Sequence, residues 1–113
     1  MPYVGLQTSV RLDDAGKDLL QETIAKLITV IPGKRPDHTM INLIDGVSLH
    51  MGLGKADCLY IEVKMLGEAP FEAKSEFVVK ACEILSKQLS VEPANIYINF
   101  TEHKNWGSNG NFR

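Results

Sequence analysis

The chain has 113 residues, of which 44% are hydrophobic and 23% are charged, and its formal net charge is −2. This length fits a single domain that buries enough surface to fold without disulfides, and it leaves no room for a second domain. The 12 basic and 14 acidic side chains are interspersed without a basic stripe, which argues against a surface for nucleic acid or for an anionic membrane.

The first ten residues, MPYVGLQTSV, alternate in the manner of a strand, and we predict a strand over residues 3–10 with Pro2 at its edge. Proline is tolerated at the first position of a strand because it has no N–H to donate there. Removal of Met1 would instead give Pro2 a free secondary amine, which is a base and a nucleophile. The residues of this strand alone leave both interpretations open.

A helix is predicted over residues 14–31, with Asp13 or Asp14 as its N-cap and a stop at Pro32-Gly33. One apolar stripe defines it: Leu20, Ile24, Leu27, Ile28 and Ile31. A second strand follows at 38–45. Residues 46–57 are punctuated by glycines and are expected to form a loop or a short hairpin.

The second half repeats this order with a strand at 58–66, a helix at 70–89 and a strand at 95–101. The helix begins at Pro70, ends before Pro93, and carries its own apolar stripe: Val78, Ala81, Cys82, Leu85 and Leu89. Residues 103–113 are expected to be an irregular tail with two aromatic side chains suited to docking on a neighbouring subunit.

The two halves match at an offset of 57 residues, which places YVGLQ over YIEVK and MINLI over YINFT. We therefore predict one domain of two pseudo-repeats, 1–57 and 58–113, each a right-handed β-α-β unit. Together they form an α/β fold with a four-stranded mixed sheet and two helices on one face. The other face would expose apolar strand positions, which favours a homo-oligomer with closed ring symmetry.

Several separate motifs carry a resemblance over the whole chain: the initial Met-Pro, PGKRP, a strand ending in MLG, and VEPANIYINF followed by NWGSNGNF. With these motifs the chain resembles the tautomerase superfamily, in the branch of macrophage migration inhibitory factor (MIF) and its microbial homologues. The resemblance implies a homotrimer of β-α-β-β-α-β subunits whose sheets face inward, with active sites between subunits.

The resemblance also implies a catalytic base, which is Pro2 after removal of Met1. A dry site and a nearby cation lower the pKa of an α-amine below its ordinary value of about 8, because both disfavour the charged form. Lys34 is the implied cation and also binds a substrate carboxylate or enolate. The alternative for Lys34 is a solvated lysine near a helix C-terminus. The backbone N–H of Leu66 is the implied second donor.

Three further side chains are implied as substrate-binding residues. Tyr97 and Asn99 point the same way along a strand and would reach into the pocket of a neighbouring subunit; alternatively they satisfy hydrogen bonds in an interface. Trp106 would form an apolar wall for an aromatic substrate or anchor the tail. Met65 departs from the family, which usually has a serine there beside the pocket.

The implied reaction is keto–enol tautomerisation of phenylpyruvate-like α-keto acids, an isomerase activity that needs no metal and no cofactor. One alternative is a cytokine-like or scaffold protein that binds a protein receptor and has only vestigial catalysis. Another is a dehalogenase or decarboxylase relative in which the terminal proline acts with an arginine, Arg35 or Arg11. Neither nucleic acid nor a membrane is an expected partner.

Cys58 and Cys82 have neither CxxC nor metal-ligand spacing, so we expect reduced thiols, no zinc and no thiol–disulfide chemistry. His38, His50 and His103 lack a partner at triad spacing and are expected at the surface or in an interface. We find no secretory leader and no apolar run of about 18 residues. The expected location is the cytoplasm, with release that needs no signal peptide as an alternative.

Overall fold

A four-stranded mixed sheet with both helices on one face forms the body of the molecule. The structure is a computed structural model that describes residues 1–113. Its strands are Pro2–Thr8 (β1), Met40–Ile44 (β2), Leu59–Leu66 (β3) and Ile96–His103 (β4), its helices are Asp14–Leu27 (α1) and Phe71–Leu89 (α2), and Gly107–Ser108 (β5) pairs with Asn111–Phe112 (β6).

The order of the strands, β2-β1-β3-β4, confirms the duplicated architecture. Within each half the strands are parallel, β1 with β2 and β3 with β4, and a helix connects them. The central pair, β1 and β3, is antiparallel and joins the two halves. Equivalent strand positions of the two halves therefore lie at opposite ends of the sheet.

The core lies between the sheet and the two helices. Each predicted apolar stripe reaches it, through Leu20 and Ile24 of α1 and Ala81 and Leu85 of α2. Alternate residues of β3 complete it, and Met65 at the end of that strand is fully buried there. Its side chain points to the helix face, and Met65 pairs with Pro2 on β1, so its position beside a pocket stays a prediction.

Two predicted elements end earlier in the structure. The strand predicted over 3–10 is β1, which ends at Thr8, whose hydroxyl accepts from the Val10 amide and donates to the Cys58 carbonyl. The helix predicted to reach residue 31 ends at Leu27 and continues as a 3₁₀ turn over Ile28–Val30. Ile31 is extended (φ −83°, ψ 122°) because the ring of the following proline disfavours helical backbone before it.

The tail was predicted to be irregular, and this is wrong: β5 and β6 form a hairpin. Its two-residue turn has positive φ at both positions, 49° at Asn109 and 74° at Gly110. Asn-Gly is the sequence favoured in such turns, because both residues tolerate left-handed backbone. Residues 46–57 contain no strand, so they form the loop rather than the hairpin.

Each half carries the same polar cluster where its second strand ends, in which a carboxylate accepts from a backbone amide and contacts a lysine; we call this cluster a clasp. In the second half a Glu102 carboxylate oxygen accepts from the Ala69 amide at 2.6 Å, and the other oxygen lies 2.8 Å from Lys74 Nζ. In the first half Asp45 accepts from the Leu12 amide at 2.8 Å and lies 3.6 Å from Lys17 Nζ. The three pairs of positions, Leu12 and Ala69, Lys17 and Lys74, Asp45 and Glu102, keep the 57-residue offset.

The face of the sheet opposite the helices is open and mixed in character, not the apolar patch that the sequence led us to expect. Met40 and Tyr97 are 70% and 61% exposed on this face. They alternate with polar side chains such as Asn42, Glu62 and Lys64. Neither helix of the structure has the length and apolar character needed to cross a membrane.

Candidate active site

A cavity of about 900 Å³ opens at the end of the sheet where β1 begins. The tail hairpin forms one wall, and the starts of β1 and β2 form the other. Two predicted site residues, Pro2 and Trp106, both line it. The full lining is Met1, Pro2, Tyr3, His38, Met40, Trp106, Gly107, Ser108, Asn109 and Arg113.

Pro2 is the first residue of β1, and it is buried. It pairs with Met65 on β3, so continuation of this antiparallel register brings Met1 opposite Leu66. The Sδ atom of Met1 accepts a hydrogen bond from the Ser108 hydroxyl at 2.9 Å. Met1 thus lies between Pro2 and the tail hairpin, and its removal would open Pro2 to the cavity.

Lys34 reaches the same end of the sheet from the loop after α1. Gly33 turns this loop with φ +77°, and the Lys34 amide donates to the Ile31 carbonyl at 3.1 Å. The side chain then donates from Nζ to the Leu66 carbonyl at 3.0 Å. Two predicted site residues, Lys34 and Leu66, are therefore in direct contact.

The backbone of Leu66 faces the start of β1. The next amide along the chain, that of Gly67, donates to the His103 carbonyl on β4 at 2.8 Å. Because backbone polar groups alternate in direction along a strand, those of Leu66 point to the opposite side, toward β1. The bond from Lys34 to the Leu66 carbonyl agrees with this direction, so the Leu66 amide faces the chain terminus as well.

The electrostatic environment of this end disfavours a charged amine. Burial, then the positive charges of Lys34 and of Arg113, lower the pKa of the Met1 α-amine below its ordinary value. No Asp or Glu lines the cavity to oppose these cations. An amine placed here is thus favoured in its neutral form, which is the form that accepts a proton.

Trp106 is half-buried beside the tail hairpin. Its amide donates to the Arg113 carbonyl at 2.8 Å, and the Arg113 amide donates back to the Trp106 carbonyl at 3.1 Å. The indole also packs edge-on against the His103 ring, with centroids 5.9 Å apart. The hairpin therefore holds an aromatic wall and a cation together at the cavity.

Comparison with known proteins shows the family of the chain, since the model of the family "Macrophage migration inhibitory factor (MIF)" matches residues 1–112. The chain belongs to the MIF family. It is 26% identical to D-dopachrome decarboxylase-B of Xenopus laevis, over 97% of this chain and 95% of that protein.

Among solved structures, it is similar to the MIF homologue of Prochlorococcus marinus at 28% identity, with a TM-score of 0.82 and 97% of both chains covered. Leishmania major MIF2 is similar in fold, with a TM-score of 0.90 at 22% identity, covering 100% of this chain and 97% of that one. Membership in the MIF family and the position of Pro2 fit a tautomerase-like activity of the isomerase type.

The cavity that Pro2 lines does not include Tyr97 or Asn99. Both lie on the open face of β4, at the far edge of the sheet from β2. Tyr97 lines a separate cavity of about 150 Å³, and Asn99 lines a groove beside Phe71. The role expected for them, in the pocket of a neighbouring subunit, stays a prediction.

The sequence did not single out Arg113, nor His38 as a wall of the cavity. The Asn-Gly turn was the available signal for Arg113, because a hairpin returns the tail to the start of β1. Of the two arginines considered earlier, Arg35 pairs with Asp37 at 2.7 Å, and Arg11 packs against Gly46. Neither lines the cavity.

Proposed function

We propose that the chain, once Met1 is removed, is a keto–enol tautomerase that acts on phenylpyruvate-like α-keto acids with Pro2 as its general base. One observation supports the proposal: Pro2 lines a cavity, and the adjacent Met1 amine has a lowered pKa because of burial and of the charge of Lys34, which bonds to the Leu66 carbonyl. A base needs to be neutral at the working pH, and this environment favours the neutral amine.

The reaction moves one proton and needs no metal or cofactor. The neutral nitrogen of Pro2 takes the proton from the carbon beside the substrate carbonyl, and the electron pair moves to the carbonyl oxygen. Lys34 Nζ and the Leu66 amide stabilise the resulting enolate charge. The protonated Pro2 then returns the proton to the oxygen, which gives the enol, or to the carbon. Trp106 offers an apolar face for an aromatic ring.

We further propose that the active unit is a homotrimer. The open sheet face supports this, since it leaves Met40 and Tyr97 largely exposed in the single chain. Packing this face against other subunits would bring Tyr97 and Asn99 near a neighbour's cavity. Sedimentation at concentrations that span the assay range checks the oligomeric state, and a monomer with full activity would contradict the proposal.

The deciding experiment compares the wild-type chain with Pro2→Gly. Intact mass first establishes whether Met1 is absent from both. Phenylpyruvate tautomerisation is then followed between about pH 5 and pH 9, where the amine titrates. We expect Pro2→Gly to lose about 100-fold in kcat/KM with unchanged oligomeric state. Pro93→Ala is the control, because it starts a 3₁₀ turn in the second half, outside the cavity.

Equal activity of Pro2→Gly and the wild type would exclude Pro2 as the base. A clipped wild-type chain with no activity would exclude this reaction and would favour the binding protein as the alternative.

A further inference from the structure

The tail hairpin places Arg113 at the cavity. Two backbone hydrogen bonds, at 2.8 and 3.1 Å, join it to Trp106 across the hairpin. Arg113 lines the cavity together with Met1 and Pro2. The guanidinium lies close enough to the Met1 amine to help lower the pKa of that amine.

Positive charge therefore reaches this end of the sheet from two elements, and both cations act on the Met1 amine. Lys34 arrives from the loop after α1, and Arg113 arrives from the tail. Neither takes part in an ion pair of the chain, whereas Arg35, Lys17 and Lys74 all do. Lys34 and the Leu66 amide can bind the carboxylate and the enolate oxygen of a monocarboxylic substrate. The guanidinium of Arg113 then has no partner on that substrate.

We infer that Arg113 binds a second carboxylate, so that the site prefers dicarboxylic α-keto acids over monocarboxylic ones; this inference rests on the proposed function and specifies its substrate class. Guanidinium groups bind carboxylates through two parallel N–H···O bonds, which suits this role. Ser108 and Asn109 lie on the same wall as Arg113 and can supply further donors.

The test uses two five-carbon acids that differ at one end. 2-Oxoglutarate ends in a carboxylate, and 2-oxopentanoate ends in a methyl group. Binding is measured through the fluorescence of Trp106, the single tryptophan of the chain, which lies in the cavity wall. Proton abstraction is measured separately, as exchange of the C3 hydrogens for deuterium observed by NMR.

We expect the wild type to bind 2-oxoglutarate about five- to tenfold more tightly than 2-oxopentanoate, as suits one partly exposed charge-assisted contact. Arg113→Gln should remove this preference and leave the affinity for 2-oxopentanoate unchanged. Arg113→Lys should keep part of it, since the charge remains without the planar fork. Arg35→Gln, which alters an exposed arginine already paired with Asp37, is the matched control and should keep it all.

Two results would overturn the inference. Equal binding of both acids by the wild type would exclude a site for the second carboxylate, and a preference that persists in Arg113→Gln would assign it elsewhere. The two measurements also separate this inference from the proposed function. Pro2-dependent exchange together with equal binding of both acids would sustain the tautomerase and remove the dicarboxylate site. An Arg113-dependent binding preference without Pro2-dependent exchange would sustain the site and remove the tautomerase.

Discussion

The two halves of the chain build the same cavity twice, at opposite ends of the sheet. The first cavity has a volume of about 900 Å³ and the second about 150 Å³. Their linings correspond at the 57-residue offset: Met1 with Cys58, Pro2 with Leu59, Tyr3 with Tyr60, His38 with Asn95, Met40 with Tyr97, and Trp106 with Leu49.

The two ends differ in charge and in whether the backbone nitrogen at the start of the strand is a free amine or a peptide amide. Val91, which is 2% exposed, stands where the first half has Lys34. The Cys58 amide, at the position of Met1, donates to the Ser9 hydroxyl as an ordinary internal peptide group. The repeat therefore supplies the frame at both ends, whereas the cations and a terminal amine occur at only one.

Keeping Met1 should have the largest effect, because it makes Pro2 an internal amide like that of its counterpart Leu59. We expect a loss of about 100-fold or more in tautomerase activity, since an amide nitrogen cannot act as the base. Chain produced with and without an inhibitor of methionine removal provides the two species, and intact mass verifies them. Equal specific activity of both would contradict a role for the free amine.

Replacing Lys34 by methionine should remove one of the two cations that distinguish the first end from the second. Removal of the cation raises the pKa of the terminal amine toward its ordinary value of about 8, so less of the amine is neutral at pH 7. We expect kcat/KM to fall about tenfold and its rise with pH to move to higher pH.

The pH profile of kcat/KM measures both effects of Lys34→Met. Lys26→Met is the control, because Lys26 is an exposed lysine that pairs with Glu22 on α1. A profile that keeps its midpoint in Lys34→Met would show that Lys34 does not act on the amine.

The two clasps predict a difference in stability rather than in chemistry. Hydrogen bonding to Lys74, then to the Ala69 amide, lowers the pKa of Glu102, so its carboxylate stabilises the fold above the ordinary pKa and less as pH falls. Glu102→Gln should lower the free energy of unfolding by about 1–2 kcal/mol at neutral pH.

Asp45→Asn should cost less than Glu102→Gln, since Lys17 is more exposed and lies farther from its carboxylate. Urea unfolding at about pH 7 and about pH 3 measures both variants. The difference between the wild type and the variants should shrink at the lower pH, because the ionic stabilisation is lost as pH falls through the lowered folded-state pKa values. A difference that is the same at both pH values would exclude the ionic contribution.

Removing the side-chain cap at the start of α1 should have the smallest effect of these changes. Asp13 caps α1 by accepting from the Gly16 amide at 2.7 Å, whereas Pro70 starts α2 without a side-chain cap. Asp13→Ala should lower the free energy of unfolding by about 1 kcal/mol. Thermal unfolding detects this change, and an unchanged midpoint would show that the cap contributes nothing.

The duplicated fold could be predicted from the sequence because the 57-residue offset and the two apolar stripes are patterns that repeat along the chain. Motifs that resemble a family also singled out Pro2 and Trp106, which line the cavity, and Lys34 and Leu66, which contact each other; their roles in catalysis stay predictions. The sequence missed the contribution of Arg113, since that residue is seventy-nine positions from Lys34 and only the hairpin turn at Asn109 brings it back. The sequence did not predict the mixed character of the open face. It did not establish which alternate residues of each strand point away from the helices, and this depends on the register of the sheet.

The course of the tail hairpin has a practical consequence for engineering the protein. Met1 and Arg113 line one cavity, so any peptide joined before the first or after the second would begin inside it. Affinity handles, fluorescent fusions and surface anchors are better inserted near Leu53, whose side chain is fully exposed in the loop between β2 and β3.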